Sequence, residues 1–127
     1  MKKTTAILFL TLLVSTVLCI SCNEPRAHLD PYGWHPMEHT FDSLTLEAEN
    51  RFINCEALDS LIIPVRRMSE ISSANPKNRQ MKARTLFWQG RIEYNSGNTD
   101  EGLEMMTQAL LMTDSAKYPY DYHRISW

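Results

Sequence analysis

Residues 83–116, ARTLFWQGRIEYNSGNTDEGLEMMTQALLMTDSA, decide the fold. Ala83, Leu86, Phe87, Gly90 and Tyr94 recur at helical spacing and form one apolar side. Gly97 is placed to end that helix, because glycine takes a left-handed backbone without steric cost. Asn98 and Glu101 stand three apart, the spacing of a capping box, and predict the start of a second helix. The face of that helix is Leu103, Met106, Ala109 and Leu110.

The same period extends in both directions. Phe41, Leu44, Ala48 and Phe52 predict an earlier helix, with Asp42 or Ser43 able to cap its start. Leu58, Leu61, Val65 and Met68 predict the next one, and Pro64 inside it should kink it by removing a hydrogen bond. SSANPKN at residues 72–78 reads as a loop, and Pro119 can begin a fifth helix. No alternating apolar run is bounded by turns, so the expected class is all-α. Residues 23–40, NEPRAHLDPYGWHPMEHT, carry three prolines and no helical period, the composition of a tether. Tyr32, Trp34 and Met37 make it adhesive enough that part of it should pack back onto the helices.

The start of the chain has a different logic. Lys2 and Lys3 precede an apolar run over residues 6–20, interrupted only by Thr11, Ser15 and Thr16. Ser21 and Cys22 follow. Basic, then apolar, then small residues form an export signal rather than a folded element. The stretch resembles the lipobox signals of bacterial lipoproteins, which implies that Cys22 becomes the acylated first residue of the mature chain. It departs from them in having Leu18 four residues before Cys22, with Cys19 where leucine is usual. An uncleaved anchor is the alternative, since the run almost reaches the roughly 17 residues that span a bilayer. The resemblance implies an outer-membrane protein facing the periplasm, because no aspartate follows Cys22. The expected division is a signal at 1–21, a lipidated tether at 22–40 and a helical domain at 41–127.

Residues 83–116 also resemble a tetratricopeptide repeat, two antiparallel helices in about 34 residues. Leu86, Gly90, Gly97-Asn98, Gly102, Met106 and Ala109 carry the likeness. Gln89, Glu93 and Asp114 depart from it, standing where leucine, tyrosine and proline are usual. Residues 41–75 look like a worn copy, and residues 118–127 like the opening of a third unit. Such units normally need about three copies to bury their faces. Either the last helix caps the array, a partner covers it, or the chain is a shortened relative of longer proteins. The whole chain resembles the start of lipoproteins and membrane sensors of the Bacteroidetes type. The likeness implies a protein or peptide partner held on the inner helix face, where Arg84, Phe87, Trp88, Arg91, Tyr94 and Asn95 would lie. In the competing reading Phe87 and Tyr94 are core and the arginines are solvated.

Composition narrows the rest. The formal charge is −2, and loss of the two signal lysines takes it to −4, so no basic surface invites nucleic acid. Without Cys19 and with Cys22 acylated, Cys55 has no partner in the chain, and a half-buried structural cysteine is expected. His28, His35 and His39, with Asp30 and Glu38, lack any zinc-ligand spacing, so neither a metal nor another cofactor is expected. The four glycines form no phosphate loop, no nucleophile sits in a motif, and no enzyme activity is expected. Met105, Met106 and Met112 read as gap-filling core.

Overall fold

The computed structural model describes residues 33–126. The signal segment and Cys22, with the acylation expected there, lie outside them, as do His28 and Asp30. The described residues form helices α1 (His39–Ile53), α2 (Leu58–Ala74), α3 (Arg79–Asn95), α4 (Thr99–Met112) and α5 (Pro119–Ile125), with no strand among them. The chain is all-α over this range. No helix of the described residues is long and apolar enough to cross a membrane.

Local chemistry sets the helix ends, not always where the sequence suggested. α1 is capped neither by Asp42 nor by Ser43 but by Glu38, whose carboxylate accepts from the Thr40 and Phe41 amides at 3.0 and 2.9 Å. Asp42 is engaged elsewhere, accepting from the Met37 amide and from Arg84. Asn78 caps α3 by accepting from the Met81 amide at 3.0 Å. Asn98 makes no such bond at the start of α4; it donates instead to Glu93 Oε2 at 2.7 Å. The capping box is therefore absent. Gly97 follows α3 with φ +99°, the left-handed backbone expected of it. Pro119 begins α5, where its missing N–H is no loss. Cys55 is exposed rather than half-buried, in the α1–α2 turn at φ 54°.

The most extensive helix contact is between α3 and α4. A Cβ on Gly90 would lie 2.8 Å from the Gly102 carbonyl oxygen and 2.8 Å from Met106 Cγ. One on Gly102 would lie 2.5 Å from the Tyr94 amide nitrogen and 2.7 Å from the Gly90 carbonyl oxygen. Residue 102 meets 94 and 90, and residues 105 and 106 meet 90, so the helices run in opposite directions. Backbone has filled the space that side chains would need.

The core gathers Phe41 and Ala48 from α1, Leu61, Val65 and Met68 from α2, and Met81, Phe87, Trp88 and Ile92 from α3. Ala109 and Ile125 close it from α4 and α5. The expected face of α4 is only partly inward: Gly102 and Ala109 are buried, Met106 and Leu110 half-buried, and Leu103 exposed. Trp34 is 2% exposed and belongs to the core, so the tether does fold back over the helices.

Candidate functional site

Residues 33–37 lie along the side of the bundle where α1, α3 and α5 come together. Trp34 donates from Nε1 to Glu49 Oε2 of α1 at 2.8 Å. Its ring lies 6.0 Å from Phe87 of α3, and the guanidinium carbons of Arg84 and Arg124 sit 4.8 and 5.9 Å from its centroid. The next residue, His35, is fixed by its backbone. Its amide donates to Asp121 Oδ1 of α5 at 2.8 Å, and its carbonyl accepts from Arg84 at 2.8 Å.

Arg84 and Asp121, both wholly buried, meet at 2.9 Å beneath this strap. Arg84 also reaches Asp42 at 3.1 Å, so one guanidinium joins the strap to α1 and α5. Asp121 accepts in addition from Gln80 Nε2 at 3.0 Å, and Gln80 continues to the Thr113 hydroxyl at 3.3 Å. Burying charge is costly unless partners compensate it, and here four elements supply them. One atom has none: Arg84 Nε is buried without an acceptor.

Beside the strap is a pocket of about 410 Å³, walled by Trp34, Phe52, Ile53, Phe87 and Trp88. Arg91 stands in its wall, with Glu49, His123 and Arg124 completing the lining. The Arg91 guanidinium lies over two rings, 5.3 Å from the centroid of Phe52 and 5.2 Å from that of Phe87. Burial pushes its pKa down from the ordinary value. Glu49 is fully used, since Oε2 takes the Trp34 N–H and Oε1 pairs with Arg124. A larger and more open depression of about 760 Å³ lies at the 74–80 loop, among side chains of both charges.

The six residues expected on an inner face do not act together. Arg84 is core, and its charged nitrogens are engaged within the chain; it offers nothing to a peptide. Phe87, Trp88 and Arg91 share the pocket. Tyr94, 42% exposed, and the exposed Asn95 lie toward the α3–α4 turn, where Asn95 donates to the Arg91 carbonyl. No sequence pattern pointed to Gln80, Thr113 and Asp121, whose polar partners are remote in the chain, and Asp42 stood out only as a cap candidate. Trp34, noted as adhesive, was the only signal near them. Among the described residues, no group of three histidine, cysteine, aspartate or glutamate side chains could hold a metal ion.

No family model matches the chain, and neither a curated protein nor a solved structure matches it.

Proposed function

We propose that this is a non-catalytic, lipid-anchored envelope protein that holds a protein partner on tetratricopeptide-like helices. The observation that carries the reading is the outer side of α4. Leu111 is 76% exposed and Leu103 is 48% exposed. With Thr107 between them, these residues are four apart and share a side that no other described element covers. Scattered exposed leucines are ordinary, but grouped apolar side chains mark contact surfaces.

The close crossing at Gly90 and Gly102 supports the repeat likeness, and the apolar run before Cys22 supports export and anchoring. On this reading the patch is displayed from the outer membrane toward the periplasm. Two measurements test this. Intact mass of the chain extracted from membranes should correspond to a protein starting at Cys22 and bearing acyl chains, and Cys22→Ala should abolish the modification. In cross-linked cells, a discrete partner recovered with the native chain should be lost with Leu111→Asp and retained with Ile63→Asp, a change at an equally exposed site on α2. An unprocessed soluble chain, or a partner indifferent to Leu111, would defeat the reading.

The regulatory alternative, a fragment related to longer repeat-containing transcriptional regulators, rests on the sequence likeness alone. It would be favoured by a partner that is itself such a regulator.

A further inference from the structure

The pocket beside the strap presents the guanidinium of Arg91 in an apolar wall. Among the described residues, no hydrogen bond or ion pair engages the Arg91 guanidinium. Trp88, 3% exposed, forms part of the same wall, with its indole N–H buried behind it. The pocket's carboxylate, Glu49, is spent on Trp34 and Arg124. A cation seated on two aromatic rings and drawn partly out of water can still pair with an anion, since its guanidinium fork matches a carboxylate.

We propose that this pocket binds a small, free monocarboxylate with an aromatic or branched apolar body. The carboxylate pairs with Arg91, and the body packs on Phe52, Phe87 and Trp88. This site is separate from the α4 patch and does not depend on it.

Size, lining and charge all restrict the ligand. A volume of about 410 Å³ lies within the roughly 300–1,000 Å³ of small-molecule pockets. The walls suit an apolar body: a sugar's hydroxyls would meet few polar partners, and a nucleotide's phosphates would need more than one cation. A phosphate or a dicarboxylate would need a second unpaired cation, whereas Arg124 already neutralises Glu49. One carboxylate satisfies Arg91 and keeps the remaining surface apolar.

The test uses the full chain in nanodiscs, with empty nanodiscs as blank, titrated with 4-phenylbutyrate and followed by tryptophan fluorescence. The uncharged 4-phenylbutanamide is the matched control. Saturable binding of the acid, with the amide at least tenfold weaker, is expected. Arg91→Gln should weaken the acid about tenfold and leave the amide unchanged, while Arg91→Lys restores part of the difference. Equal binding of acid and amide would overturn the proposal, because the pocket would then be only an apolar cleft. Absence of binding, or preference for the peptide acetyl-Phe-Glu-amide over the free acid, would overturn it too. The acid–amide comparison needs no variant, so a misfolded Arg91 substitution could not obscure the answer.

Discussion

Asp121 is held by four donors: the His35 amide and ring, Gln80 and Arg84. Replacing it with alanine leaves the buried Arg84 cation only the half-buried Asp42 and the His35 carbonyl, and loss of one partner of such a pair destabilises by about 3–5 kcal/mol. Asp121→Ala should show that loss in urea unfolding, while the double change Arg84→Met with Asp121→Leu should recover most of it. Glu38 gives a pH-dependent counterpart. The Thr40 and Phe41 amides stabilise its charged form and hold its pKa below the ordinary 4.5. A depressed folded pKa means the cap contributes fully above that ordinary value, and its contribution disappears as pH falls through the lowered one. Glu38→Gln should therefore flatten the pH dependence of the unfolding midpoint below pH 4.5. None of this could be read from the sequence. Partners such as Arg84 and Asp121 are 37 positions apart, and a buried polar pair at that separation leaves no periodic trace.

At the scale of elements the sequence was far more legible. The first four helices follow the apolar period and the breaks at Gly97 and Pro76, because tertiary burial selects the same 3.6-residue spacing that the chain displays, and α5 follows the break at Pro119. Boundaries were less legible, since Glu38 caps α1 from ahead of the expected start. The α3–α4 crossing yields the sharpest element-level test. Gly102→Ala forces a methyl against backbone at 2.5 Å, which cannot rotate aside. Overpacking of this kind costs about 1–3 kcal/mol, and each kcal/mol lowers Tm by about 4–8 °C in a domain of this size. Gly97→Ala meets open space and should lose only about 1 kcal/mol, from backbone strain. Similar melting curves for the two variants would refute the close crossing.

The described residues form a helical bundle with residues 33–37 stitched into it. Trp34 anchors the strap in the core, so Trp34→Ala should cost about 3–5 kcal/mol although it lies outside every helix. Calorimetry would read this as a lower Tm, and a loss below about 1 kcal/mol would mean the strap merely rests on the surface. Its adhesion was foreseeable from Tyr32, Trp34 and Met37, but its route over Arg84 was not. With residues 33–37 packed over α1, α3 and α5, the partner proposed above would take the outer side of α4. Site-specific photo-cross-linking in living cells tests that most directly. A photoreactive residue at position 111 should yield one discrete adduct, and the same residue at position 63 should yield none. Equal labelling at both positions, or no adduct at 111, would contradict an interaction module built on these helices.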